Sequence, residues 1–247
     1  MIAQLRAELL KQRSTQTTLA LFGGMFAIVA LAIVLHVMTP AATDLATRSD
    51  QIPLFEAGTR IGMLFAAIAG ALAITTEYRF GTIHPTFLVT PKRSPVIAAK
   101  IVVSAAVGFV FGLVAEALMA SAATAALNSR GITVELTSSD YSRLLIGGAI
   151  ATAAWAAIGL GLGALVRNQI PTLIGLAVYL LLIDHLLPAS AARYTPGFAS
   201  LGLAIDATHT QLDDSVPSVA VAIAVLTTCC IAFIAIGWYA TLRRDAA

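Results

Sequence analysis

Residues 18 to 38, TLALFGGMFAIVALAIVLHVM, contain no Asp, Glu, Lys or Arg. A helix of about 20 apolar residues crosses the hydrocarbon of a bilayer. Hydrocarbon offers no partner to a stray N–H or C=O, so these runs are expected to be helices.

The rest of the chain repeats the pattern. Further spans are expected at about 54–76, 95–120, 144–166, 170–187 and 218–242. The starts are signposted by Ser94-Pro95, Pro171 and Ser215 with Pro217, because proline after a capping side chain suits a first helical turn. Only 11% of the 247 residues are charged and 58% are apolar, against roughly 25% charged in a soluble domain. The reading is an all-α polytopic membrane protein with six transmembrane helices and no separate soluble domain. Glu56 and Arg60 sit at the separation that pairs side chains along one helix face, near the start of the second span. A signal peptide is the competing reading of Arg6, Lys11 and Arg13 before the first run. Cleavable apolar cores are roughly 7–15 residues, so this longer run is expected to remain as a span.

Basic residues in short connections are retained on the cytoplasmic side. With six spans both termini share a side, and that side holds Arg6, Lys11, Arg13, Arg79, Lys92, Arg93, Lys100, Arg167, Arg243 and Arg244, ten of the fifteen Lys and Arg. Both termini are therefore expected in the cytoplasm.

The same side receives ITTEYRFGTIHPTFLVTPKRSPVIAAK, residues 74 to 100, where charges and three prolines interrupt the apolar pattern. Gly81 can end the second span in a left-handed cap, Thr82 can cap a new short helix, and Pro85 suits that helix's first turn. The helix would cover residues 83–89, until Thr90-Pro91 stops it. Exposed Ile83, Phe87 and Leu88 would allow it to dock into a groove on a partner. A solvated loop lying on anionic headgroups is the alternative.

EYRFGTIHPTFLVTPKRSPVIAAK resembles the signature between the second and third spans of type-2 permeases, the membrane subunits of ATP-binding-cassette transporters. GLGLGALVRN, residues 159 to 168, resembles that family's pattern at the end of the fourth span. MIAQLRAELLKQRS resembles its N-terminal interfacial amphipathic helix, expected over 1–15, with Ile2, Leu5 and Leu9 on one face and basic residues for headgroups. The resemblance implies a cytoplasmic coupling helix between spans 2 and 3, within a coupling segment over 77–94. It also implies a prokaryotic plasma-membrane location, a second permease copy or paralogue, and a separate ATPase subunit that uses ATP and Mg. Export is the implied direction. This chain lacks G-x-x-x-x-G-K-[ST], the phosphate-cradling loop, so it is expected to bind no cofactor and to hydrolyse nothing itself.

On this reading the ATPase-coupling residues are Glu77, Arg79, Gly81, Thr82, Pro85, Pro91 and Arg93. Glu77 and Arg79 would contact the ATPase or fix the loop to its own neighbours. Gly81, Thr82, Pro85 and Pro91 would shape it. Lys92 and Arg93 suit partner acids and lipid phosphates equally. The outer connection, 188–217, has a composition that permits the short re-entrant helices the resemblance implies, or a plain loop.

Carboxylates inside spans are costly and usually face a protein interior or a water-filled cavity, which singles out Glu116 and Asp184. Glu116 lies 16 residues beyond Lys100, roughly 24 Å along a helix at 1.5 Å per residue, toward the outer leaflet. Asp184 is at similar depth. Structural pairing, interfacial exposure and a substrate or proton role are all consistent with that placement. Gly159, Gly161 and Gly163 lack a dinucleotide-binding context and read as helix packing, as do Gly108 and Gly112. Cys229 and Cys230 read as small buried side chains. The four histidines lack the spacing of a metal site, and neither a metal nor a nucleic-acid partner is indicated.

Two other functions can be weighed. An intramembrane enzyme needs a nucleophile and base or metal ligands at one depth, and neither a G-x-S-G motif nor a His-rich span is present. An ion-coupled secondary transporter without an ATPase would show midplane ionisable residues in a repeated layout, whereas the acids here lie toward one side.

Overall fold

The computed structural model describes residues 2–38, 45, 47–83, 93–205 and 215–244. Among them there is no β-strand, and six helices are long and apolar enough to cross a membrane. The chain is a multi-pass membrane protein.

Helix α1 (Ile2–Ser14) precedes the first long helix, α2 (Gln16–Met38). Then come α3 (Arg48–Arg79), α4 (Arg93–Ser129), α5 (Ser138–Val166) and α6 (Gln169–Leu186). The short α7 (Ala189–Ala192) and α8 (Pro196–Ala204) lead to α9 (Val219–Arg244). α5 and α6 each contain a π-helical turn, at Arg143–Gly147 and Tyr179–Ile183.

Local chemistry explains the boundaries. α4 runs 37 residues, longer than a roughly 30 Å hydrocarbon core requires, because its Ala-rich second half favours helix. It stops where Gly131 adopts φ +72 and Ile132 N–H returns to Leu127 O at 3.1 Å, a glycine-terminated cap. α5 opens on a capping box: the Thr137 side chain accepts from Asp140 N–H, and Asp140 accepts from Thr137 N–H at 2.8 Å. Asp140 also pairs with Arg48, fastening the start of α5 to the start of α3. α5 ends at Val166, where Arg167 takes the left-handed conformation (φ +58) and Asn168 caps α6.

α3, α4 and α5 form the centre of the bundle, and α2, α6 and α9 flank them. The flanking helices expose apolar side chains such as Leu31, Val34, Ile174, Leu182, Ile223 and Ile231, as lipid contact requires. The centre is held by backbone approach. A Cβ added at Gly70 of α3 would overlap the Ala156 carbonyl of α5, and one at Gly159 of α5 would overlap the Ala67 carbonyl of α3. Gly108, Gly112, Gly161 and Gly163 also lie against neighbouring helices, so the packing reading holds. Lipid tails are as apolar as leucine, so close fit rather than water exclusion drives such contacts.

α8 plugs into this bundle with Phe198, Leu201 and Ala204 buried. Its Ser200 hydroxyl receives Trp155 Nε1–H from α5 at 2.9 Å. Gln51, fully buried, donates to Leu45 O and Thr133 O and accepts from Glu135 N–H, so one amide ties the start of α3 to the α4–α5 connection.

Two expectations are corrected. Ile83 is 3% exposed rather than presented to a partner, because Gly81, at φ +69, redirects the chain at the end of α3. Glu116 and Asp184 are buried, at 0% and 3% exposure, which excludes interfacial exposure. The expected coupling helix, with Pro85 and Pro91, lies outside the described residues except at its edges.

The α3–α5 contact is directly testable. Gly70→Ala or Gly159→Ala should each destabilise the protein by about 1–3 kcal/mol, the usual cost of overpacking. Thermal unfolding in detergent should show a lowered Tm for both, while Gly23→Ala, with open space around its Cβ position and a gain in helix propensity, should not lower Tm.

Candidate functional site

Four charged side chains meet where α1, α3 and α4 converge. Lys100 Nζ, on a residue 3% exposed, donates to Glu8 Oε2 at 2.8 Å and to Glu77 Oε1 at 2.7 Å. Lys11 Nζ donates to Glu8 Oε1 at 2.9 Å and to Glu77 Oε1 at 2.8 Å. The result is a closed ring of alternating charge, with no net charge. Each lysine bridges α1 to the end of α3, and Lys100 adds the first turns of α4. Burial pushes the Lys11 ammonium down, but its hydrogen bonds to Glu77 and Glu8 outweigh this and hold its pKa above the ordinary lysine value.

This ring brackets the segment between α3 and α4. Glu77 is three residues before Phe80, and Lys100 is in the second turn of α4. Glu77 is therefore fixed to its own chain, one of the two roles its position allowed. Arg79 is exposed, donates to Gln169 Oε1 at 3.2 Å and stacks its guanidinium on Phe80. Gly81 occupies the left-handed cap. Thr82 lines a cavity with Glu77. Arg93 opens α4.

Beside the ring lies a cavity of about 460 Å³ between α1, α2 and α3. A second recess, about 340 Å³, is lined by Tyr78, Arg79, Arg167, Asn168, Gln169 and Ile170. There the Arg167 guanidinium sits 4.9 Å from the centre of the Tyr78 ring and donates to Ala240 O at 2.8 Å. One side chain of the Val-Arg-Asn stretch thus joins the ends of α3, α5 and α9, and these contacts offset its left-handed backbone.

At the opposite end of the bundle, Glu116 of α4 accepts a hydrogen bond from Thr59 and packs against Gly58 and Gly148. Its Oε2 has no hydrogen-bond partner. Glu56 lies within electrostatic range of it and pairs with Arg60 at 3.0 Å, as the four-residue spacing predicts. Arg60 Nη1 contacts His185 Nε2 at 3.2 Å. Asp184, the neighbour of His185, packs its carboxylate onto Gly197 and is within reach of the Tyr179 and Thr195 hydroxyls. Glu116, Glu56, Arg60, His185 and Asp184 thus form one polar group at this end of the bundle, with Arg60 against Phe198 and Asp184 against Gly197 of α8.

Sequence reasoning missed Glu8, Lys11 and Lys100 as partners of Glu77. The available signal was a lysine seven residues inside an apolar helix and a single acid in an otherwise basic N-terminal helix. By composition the basic residues of α1 suit headgroups, whereas Lys11 pairs with Glu8 and Glu77. Of the expected apolar face of α1, Ile2 and Leu9 are exposed and Leu5 is half-buried, while the helix's buried residue is Glu8. Among the described residues, no group of His, Cys, Asp or Glu could hold a metal ion.

Residues 4–183 match a family model described as ABC-2 family transporter protein. The comparisons with curated proteins and with solved structures return no match.

Breaking a buried ion pair by removing one partner strands the other charge, at a cost of about 3–5 kcal/mol. Lys100→Met should therefore lower Tm strongly. Combining it with Glu77→Gln leaves Glu8 paired with Lys11 and should recover part of the loss. Strict additivity of the two effects in a double-mutant cycle would show that the residues act independently.

Proposed function

The chain belongs to the ABC-2 family of transporter proteins, and from that membership we propose that it is the permease subunit of an ATP-binding-cassette exporter. A separate ATPase binds ATP and Mg and drives it. Two permeases, identical or paralogous, line the substrate route in a prokaryotic plasma membrane, with α1 on the cytoplasmic face and both termini inside.

The observation that carries this reading is the charge ring. The segment over 77–94 is the proposed site of ATPase docking. Glu77 and Lys100, on the two helices that flank this segment, are hydrogen-bonded to each other and to α1. Movement of the segment is thereby delivered to α3 and α4 together. These helices are packed against α5 by backbone contact, so the displacement reaches the bundle as a rigid-body shift rather than as local bending. Exposed Arg79 is suited to an acidic partner surface, and Gly81, Thr82, Pro85, Pro91 and Arg93 shape and launch the segment.

Glu116 and Asp184 support a role in the route. Each has one oxygen without a hydrogen-bond partner, in a place where an unpaired polar atom is costly. Asp184 packs against Gly197 of α8, and Glu116 against Gly58 of α3 and Gly148 of α5.

Replacing residues 84–92 by a Gly-Ser linker of equal length should leave membrane insertion intact and abolish recovery of a nucleotide-hydrolysing partner in pull-downs. Recovery at the normal yield would overturn the coupling assignment. Glu116→Gln should reduce ATP-dependent transport while the complex still assembles, and undiminished transport would remove Glu116 from the route.

A further inference from the structure

The end of α3, the end of α5 and the start of α6 enclose the second recess. Its volume, about 340 Å³, is in the range of small-molecule sites, roughly 300–1,000 Å³. Tyr78, Arg79, Arg167, Asn168, Gln169 and Ile170 line it, so among the described residues two guanidiniums and no carboxylate border one space. Glu77, the acid next to Tyr78 along the chain, is engaged by Lys11 and Lys100 in the ring. Arg79 is exposed and forms no ion pair among the described residues.

The amides of the recess share this polarity. Asn168 Oδ1 accepts from Ile170 N–H at 3.3 Å, and Gln169 Oε1 accepts from Arg79 Nη1 at 3.2 Å. Each carboxamide thus has its oxygen engaged and still carries two N–H donors, while Arg79 has spent one of the five that a guanidinium holds. A negatively charged group with several acceptor oxygens suits such a lining, and a phosphate is one. One edge of the recess is apolar. Exposed Ile170 begins a stripe that continues through exposed Ile174 and Val178, each four residues further along α6. Because α6 flanks the bundle, this stripe meets hydrocarbon. A basic recess and a membrane-facing apolar stripe therefore adjoin at the end of a span, the arrangement that receives lipid headgroups.

We propose that this recess binds an anionic phospholipid. The phosphate accepts from exposed Arg79 and from the Asn168 amide, Arg167 adds positive charge, and an acyl chain lies along Ile170, Ile174 and Val178. A zwitterionic headgroup is disfavoured, because its ammonium would meet two guanidiniums and no acid.

The test is lipid retention by the purified full-length chain after reconstitution in an equimolar mixture of phosphatidylglycerol, phosphatidylethanolamine and phosphatidylcholine, followed by detergent washing and mass spectrometry. Phosphatidylglycerol should be retained about tenfold over either zwitterionic lipid, the fold-change of one hydrogen bond to a charged group. Arg79→Gln should remove this preference at unchanged Tm. Gln169→Glu, which sets a carboxylate beside Arg79, should remove it as well, and serves if Arg79→Gln lowers Tm. Arg13→Gln, which takes the same charge from the open surface of α1, should leave the preference in place. Inorganic phosphate in the wash, against chloride at equal ionic strength, should not displace the lipid, because it has nothing to lay along α6. Equal retention of the three lipids, an equal loss in Arg13→Gln, a preference that survives both recess variants, or displacement by inorganic phosphate would overturn the assignment. So would wild-type retention by Arg79→Gln together with loss of the ATPase from pull-downs, which would give Arg79 to an acidic protein surface alone. Because retention is read on the permease alone, its failure leaves ATPase coupling standing, and a failure of coupling leaves the lipid site standing.

Discussion

Helices in hydrocarbon gain nothing from hiding apolar surface from one another, so this bundle depends on how closely α3 and α5 approach. Gly70 and Gly159 each face a carbonyl of the other helix, and no side chain separates them. Every other arrangement is referred to that contact. α4 reaches the same surface through Gly108 and Gly112, α9 lies against Gly161, and α8 is fastened to α5 by Trp155 and Ser200. The result is a closely packed three-helix centre flanked by α2, α6 and α9.

The same low dielectric governs the charges. An isolated ion in such surroundings is costly, and attraction repays desolvation only where geometry and further hydrogen bonds are good. The two ends of the bundle meet this demand differently. At the end that carries α1, two lysines and two glutamates close a neutral ring and leave one oxygen of Glu77 over. At the other, Glu56 is paired with Arg60, while Glu116 has only the Thr59 hydroxyl and Asp184 relies on hydroxyl groups. The first end is a closed charge ring with a cavity at its side. The second keeps one oxygen of Glu116 and one of Asp184 without a hydrogen-bond partner.

Much of this architecture was legible from the residues. Uncharged runs of sufficient length revealed the helices, because hydrocarbon permits little else. Small residues at helical spacing announced close packing, and the four-residue separation of Glu56 and Arg60 announced their pair. Gly81 before a threonine announced a left-handed turn. Glu8 was not legible in this way, because a carboxylate in a basic amphipathic helix is ordinary until the helix is laid against another. Ile83 was misjudged for a related reason: its exposure depends on where the Gly81 turn sends the chain.

What the sequence determined by itself is therefore whatever depends on one segment and its solvent: which stretches are helices and which are long and apolar enough to cross the bilayer. Only the tertiary structure decided which charges meet. Glu8, Glu77 and Lys100 are far apart along the chain, and the distance between them is set by how α1, α3 and α4 cross. Electrostatic interaction falls with separation and strengthens with burial, and both quantities exist only once the helices have packed.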